Sequence, residues 1–158
     1  MAREKIKTRR ELGGIIEKEK ASGKTIGFTN GCFDIIHAGH VRYLGEARSE
    51  CDLLIVGVNS DSSVKSIKGE DRPLNKEEAR MEVLAALESV DYLTLFEEDT
   101  PLDLIKEITP DILFKGGDWN ESEIAGGDHV KACGGKVRLI QYIEGHSTTG
   151  LIDKIRKK

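Results

Sequence analysis

Five short apolar runs rich in β-branched residues punctuate the chain, at residues 25–29 (TIGFT), 53–58 (LLIVGV), 92–96 (YLTLF), 111–114 (DILF) and 136–140 (KVRLI). Runs this short, with little polar alternation, predict strands covered on both faces. Between them apolar positions recur three and four residues apart. That period predicts helices over 38–49, 61–67, 76–88, 101–108 and 129–133, with two more at 8–21 and 148–156.

Several helix starts carry capping chemistry. Thr8 with Glu11, and Asn75 with Glu78, have the spacing of a capping box, and Thr100 before Pro101 reads as an N-cap followed by proline at the first helical position. After a leading helix, strands and helices alternate. Nearly all-apolar strands in that order require a parallel sheet covered on both sides, since antiparallel sheets usually show one polar face. No repeat, low-complexity tract or Pro/Ser-rich linker interrupts the pattern. The predicted fold is therefore α/β: a Rossmann-like, doubly wound five-stranded parallel sheet with helices on both faces. It forms one domain over residues 1–158, with 1–24 an N-terminal helix and 25–158 the α/β core.

Composition narrows the function classes. Of 158 residues 33% are charged and 38% hydrophobic, and the net charge of −4 comes from 24 basic and 28 acidic side chains mixed along the chain. This excludes a disordered polyelectrolyte and gives no reason to expect nucleic-acid binding. Three cysteines, Cys32, Cys51 and Cys133, without a C-x-x-C pair suggest neither a disulfide framework nor a zinc finger. The opening MAREKIKTRREL is charged where a secretory signal would be apolar, and no stretch approaches the ~18 apolar residues of a membrane span. The expectation is a soluble cytoplasmic protein with no membrane or nucleic-acid partner. A homodimer is compatible with the sheet edge and with exposed apolar helix faces.

In a doubly wound sheet ligands bind outside the carboxyl ends of the strands, so the residues that follow each strand matter most. After the first come Asn30-Gly31-Cys32-Phe33-Asp34 and His37-Ala38-Gly39-His40; after the second, Asn59-Ser60-Asp61; after the fourth, Lys115-Gly116-Gly117-Asp118-Trp119; after the fifth, Glu144-Gly145-His146-Ser147-Thr148-Thr149. His37 and His40 are three apart at a helix start, where both imidazoles reach the same side. Gly39 lets an anion approach the helix N-terminus and its free N–H groups. A plain helix cap or adventitious zinc binding explains the same pair, although no third ligand has a zinc-like spacing, and no metal site is expected. Ser147, Thr148 and Thr149 can hold a second phosphate or simply cap the last helix. The polar segment 65–73, with Lys68 and Arg72, can fold over the crevice or stand as a solvated loop. Lys115, closing an apolar strand, points its ammonium into the crevice. Cys32 reads as a small buried filler rather than a nucleophile. The absence of G-x-G-x-x-G, G-x-x-x-x-G-K-[ST] and G-x-S-x-G argues against a dinucleotide oxidoreductase, a P-loop kinase and an α/β-hydrolase.

The segment Thr29-Asn30-Gly31-Cys32-Phe33-Asp34-Ile35-Ile36-His37-Ala38-Gly39-His40 resembles the signature of the nucleotidyltransferases with an H-x-G-H motif. Further segments are similar to the D-glycero-β-D-manno-heptose 1-phosphate adenylyltransferase domain of ADP-heptose, and so cell-surface carbohydrate, biosynthesis. They are Val58 to Asp61, Lys68-Gly69 with Arg72-Pro73, Leu84 to Glu88, Glu97 to Pro101, Lys115 to Asp118 and Glu144 to Thr149. The similarity runs over about residues 5–156.

This resemblance implies that a sugar 1-phosphate attacks the α-phosphorus of ATP and releases pyrophosphate. It assigns His37, His40, Lys68 and Lys115 to catalysis. Thr29, Asn30, Gly31, Cys32, Phe33, Gly116, Asp118, Trp119, Ser147, Thr148 and Thr149 would bind the nucleotide, and Arg72 and Arg80, the latter taken as a helix-surface residue, would bind substrate phosphate. Mg²⁺ is expected with the triphosphate, and a separate sugar kinase upstream. The alternative is a cytidylyltransferase acting on glycerol 3-phosphate or a similar alditol phosphate. Those enzymes are similar in the H-x-G-H loop and the E-G-x-S-T-T segment but typically place Arg-Thr where this chain has Tyr142-Ile143.

Overall fold

The computed structural model describes every residue except Asp118. Five strands, β1 (Ile26–Gly31), β2 (Leu53–Asn59), β3 (Tyr92–Phe96), β4 (Ile112–Gly116) and β5 (Lys136–Ile140), pair in parallel in the order β3-β2-β1-β4-β5. Among the described residues seven α-helices accompany them: α1 (Arg9–Ala21), α2 (Ala38–Ser49), α3 (Asp61–Lys68), α4 (Glu77–Ala85), α5 (Leu102–Ile108), α6 (Gly127–Ala132) and α7 (Thr148–Arg156). The strand order reverses between β1 and β4, the switch point outside which ligands bind in such sheets.

Period-2 alternation sends successive strand residues to opposite faces, which separates two hydrophobic layers. Leu54, Val56, Val58, Ile112 and Phe114 meet Leu44 and Ala47 of α2 and Met81 and Leu84 of α4. On the other face Ile26, Phe28, Ile55 and Leu113 meet Leu12 and Ile16 of α1, Leu104 and Ile108 of α5 and Val130 of α6. Both faces of the sheet are covered, as the unalternated apolar runs require.

Local differences from the expected elements have identifiable causes. β1 and β4 run on into Asn30–Gly31 and Lys115–Gly116, because backbone pairing with β2 and β5 holds residues whose side chains gave no strand signal. Thr8 and Glu11 form their capping box. Asn75 and Glu78 do not: α4 starts at Glu77 with Lys76 as N-cap, and Asn75 spends its side-chain amide on the carbonyl of Asp34. Pro101 is the N-cap of α5 rather than its first residue. Helix α3 matches the helix expected over 61–67 and runs to Lys68, so it takes in the first four residues of the polar segment 65–73. The structure adds a 3₁₀ turn at Ala2–Lys5, after which Ile6 bridges to Leu93 and covers part of the β3 edge.

Candidate active site

The first strand delivers a tight loop to the crevice. Phe33 adopts a left-handed φ of 48°, a conformation that β-carbons disfavour, and its ring packs against Gly31 on one side and His40 on another. Its buried ring belongs to the core cluster and supports the loop from beneath. Thr29 is buried as well, with its hydroxyl 2.8 Å from that of Tyr43. Both had been expected among the nucleotide contacts.

His37 caps α2. The backbone N–H of Gly39 donates to His37 Nδ1 at 3.1 Å, and the backbone N–H of His37 donates to His40 Nδ1 at 3.3 Å. The two ring centroids lie 3.9 Å apart. Burial, and after it the neighbouring His146, holds His37 below the usual imidazole range; burial and then His37 push His40 down to about 4. Both rings are therefore neutral near pH 7. With each Nδ1 accepting, each Nε2 carries the proton and is a hydrogen-bond donor beside the α2 N-terminus. Gly39 is required by geometry: a Cβ there would stand 2.8 Å from His37 Cε1 and 3.0 Å from His146 Cβ.

Asp34 fastens the segment after α3. Its buried carboxylate accepts the backbone N–H groups of Leu74 and Asn75 and the Nε–H of Arg72 at 2.8 Å. Burial alone would raise its pKa, but those donors outweigh burial and hold the carboxyl below its ordinary range. Arg72 is committed to this pair through Nε, and its Nη atoms have no hydrogen bond among the described residues.

Arg80 corrects the expectation of a surface arginine. Its side chain is 0% exposed. Nη1 donates to the carbonyls of Cys32 and Asn59, Nε to the carbonyl of Asn75, and Nη2 to Asp61. Placed on the buried face of α4, it ties together the β1 loop, the end of β2, α3 and the segment before α4. A guanidinium engaged on all these sides is an internal tie.

Lys115 and Cys32 are half-buried neighbours. Burial lowers the Lys115 ammonium and pushes the Cys32 thiol up, against the positive charges of Lys68, Arg80 and Arg72. A thiol held protonated is a poor nucleophile, in keeping with a filler role. Lys115 Nζ lies 4.8 Å from the ring centroid of Trp119. Beyond it, Gly117, Trp119, Gln141, Tyr142 and Glu144 line a cleft of about 490 Å³. The Tyr142 ring rests against Gly116 and Gly117, whose β-carbons would come within 2.7 and 2.8 Å of it. Asp118, expected among the nucleotide-binding residues, lies outside the described residues.

The C-terminal cluster joins the histidines. Thr148 donates from Oγ1 to the carbonyl of Ile35 at 3.2 Å, and the ring of His146 stacks on His37 with centroids 6.2 Å apart. Ser147 caps α7 by accepting the N–H of Gly150 at 2.9 Å, and Thr149 is exposed beside it. His37, His40, Ser147, Thr148 and Thr149 thus share one end of the crevice, with Lys115, Gly116 and Trp119 at the end of β4. Lys68, at the exposed end of α3, acts on Cys32 through its charge. Three residues of this site were given no site role from the sequence. Asp34 and His146 lie inside quoted motifs, and Tyr142 is an aromatic two residues past a strand. Among the described residues no group of three His, Cys, Asp or Glu side chains is arranged to hold a metal ion.

Comparison with known proteins places this geometry in a family. The chain is 53% identical over 151 residues to the bifunctional protein HldE of Geobacter metallireducens, covering 96% of this chain and 31% of that protein. It is 55% identical over 145 residues to the bifunctional protein HldE of Granulibacter bethesdensis, covering 92% and 30%. It therefore spans about a third of the length of these relatives. Among solved structures, the lipopolysaccharide core biosynthesis protein of Thermoplasma volcanium superposes with a TM-score of 0.65 at 28% identity, over 78% of this chain and all of that one. Pantoate-beta-alanine ligase of Francisella tularensis shares the fold, with a TM-score of 0.62 at 14% identity over 97% of this chain and 79% of that one. The model of the cytidylyltransferase-like family matches residues 28–152, from the core of β1 to the buried Ile152 of α7, and the chain belongs to that family.

Proposed function

We propose that this chain transfers the adenylyl group of ATP to the phosphate of a heptose 1-phosphate, giving ADP-heptose and pyrophosphate. The observation that carries this reading is the meeting of His37 and His40 with the His146–Thr149 segment around the α2 N-terminus. Identity above 50% to proteins named HldE supports the same substrate class.

The chemistry suits what these residues supply. A phosphate monoester is already an anionic nucleophile. One of its oxygens attacks the α-phosphorus, and the bond from that phosphorus to the bridging oxygen breaks as pyrophosphate leaves. No activated serine or cysteine is needed; the requirement is alignment and stabilisation of charge. The Nε2–H groups of His37 and His40 donate to phosphate oxygens as charge moves toward the leaving group. The α2 N-terminus adds its partial positive charge, and Lys68 and Lys115 add full ones. Arg72 offers its Nη groups to the sugar phosphate while Asp34 fixes its Nε. Arg80 holds the Cys32 carbonyl and so the loop that lines the nucleotide. Ser147, Thr148 and Thr149 cradle phosphate. Mg²⁺ is assigned to the substrate, arriving with ATP as charge partner of the triphosphate.

A kinase reaction has to supply the sugar 1-phosphate, from a separate protein or a further part of the same chain. The setting is the cytoplasm, where ATP is available. The deciding assay is pyrophosphate release and mass spectrometry of the nucleotide sugar, with ATP and D-glycero-β-D-manno-heptose 1-phosphate against CTP and glycerol 3-phosphate. Turnover with the first pair is expected, and turnover with the second pair alone refutes the assignment.

A further inference from the structure

Two large aromatic side chains stand in solvent at the carboxyl ends of β4 and β5: Trp119 is 46% exposed and Tyr142 66%. Neither belongs to the hydrophobic clusters on the two faces of the sheet. Exposed aromatic area gathered in one cleft, beside polar groups, marks a binding surface rather than packing. The rings line the cleft of about 490 Å³ together with Gly117, Gln141 and Glu144.

The two rings are held differently. Trp119 has the Lys115 ammonium 4.8 Å from its centroid. Tyr142 lies against main chain. Gly116 and Gly117 let the ring lie against the backbone, since a β-carbon at either would come within 2.7 or 2.8 Å of it. A ring supported from behind by rigid strand-end backbone and open in front is a preorganised stacking platform.

We propose that Tyr142 is a specificity-determining residue that stacks the adenine of ATP in the cleft it shares with Trp119. The inference rests on the adenylyl-transfer reading and adds the residue that selects the base. A purine presents a larger π-face than a pyrimidine, so a platform without base-edge readout favours ATP over CTP.

Trp119 is the chain's single tryptophan, so its fluorescence reports a base entering the cleft, and calorimetry measures the same binding without that probe. The experiment titrates wild type, Tyr142→Ala and Tyr142→Phe with ATP, CTP and inorganic tripolyphosphate, which has no base. Stacking predicts that Tyr142→Ala weakens ATP binding about 10-fold and lowers the ATP-to-CTP ratio of kcat/KM. Tripolyphosphate binding stays unchanged, and Tyr142→Phe behaves as wild type. Unchanged or tighter ATP binding by Tyr142→Ala overturns the proposal, because the ring would then only fill the cleft. Equal losses for ATP and tripolyphosphate overturn it too, since the variant would then have disturbed the phosphate end. The two readings fail separately. A wild type that forms no ADP-sugar yet shows Tyr142-dependent ATP binding refutes only the reaction; one that forms ADP-sugar with Tyr142→Ala unaffected refutes only the stacking.

Discussion

His146 stacks on His37 with ring planes 21° from parallel, bringing the segment before the last helix against the cap of α2. Burial and the nearby His146 both hold His37 below the usual imidazole range. Removing the second ring relieves both effects in the same direction. His146→Ala should therefore raise the midpoint at which His37 titrates, read from its imidazole resonances by NMR across pH 4 to 8. A midpoint that stays put or falls would show that the two rings do not meet in solution.

In the proposed reaction neutral imidazoles acting through Nε2–H stabilise charge, so the cost of losing one should fall on the transition state more than on bound ATP. His37→Ala and His40→Ala should each slow turnover roughly 10²- to 10³-fold, with a smaller change in the dissociation constant of ATP. Steady-state kinetics with calorimetric binding separates the two effects. Near-wild-type turnover in either variant refutes the assigned role.

Arg80 fills its acceptors with a planar fork that no other side chain reproduces. Arg80→Met would strand the carbonyls of Cys32, Asn59 and Asn75 beneath the site. The expected loss is about 3 kcal/mol of folding stability, measured by urea denaturation. Arg80→Lys keeps the charge but cannot span the acceptors. It should recover part of that stability while raising KM for ATP, because the Cys32 carbonyl loses its anchor.

Acid should loosen the fold through His40. A base whose folded pKa, about 4, lies below its ordinary value of 6.5 binds fewer protons folded than unfolded between those limits. Stability then rises with pH across the window: it is complete above about 6.5 and lost as pH falls toward 4. His37, also lowered, acts in the same direction. Asp34, whose carboxyl is held below its ordinary range, contributes stability that is full above about 3.9 and lost only at lower pH. The thermal unfolding midpoint should therefore drop between pH 7 and 4.5, and His40→Asn should flatten that slope. An equally steep slope in the variant would rule out His40 as its source.

Each strand lies on one of the apolar runs because burial on both faces leaves no room for polar alternation. The last residues of β1 and β4 were illegible, since hydrogen bonding to neighbouring strands holds Asn30, Gly31, Lys115 and Gly116 in place. His37, Gly39 and His40 declared themselves by spacing along one helix turn. Arg80 carried a signal that its charge obscured: it stands four residues before Leu84, on the same buried stripe of α4. Tyr142 and His146 have no periodic neighbours. Their partners, Gly116 with Gly117 and His37, adjoin them only after the chain folds, so linear spacing could not expose them.

The family model begins at residue 28, yet Leu12 and Ile16 of α1 are core members alongside Ile26 and Phe28. The backbone N–H of Lys7 also reaches the carbonyl of Leu93. A chain trimmed to the matched residues would bare one wall of that layer and reopen the outer strand, leaving a sticky remnant in place of a minimal enzyme.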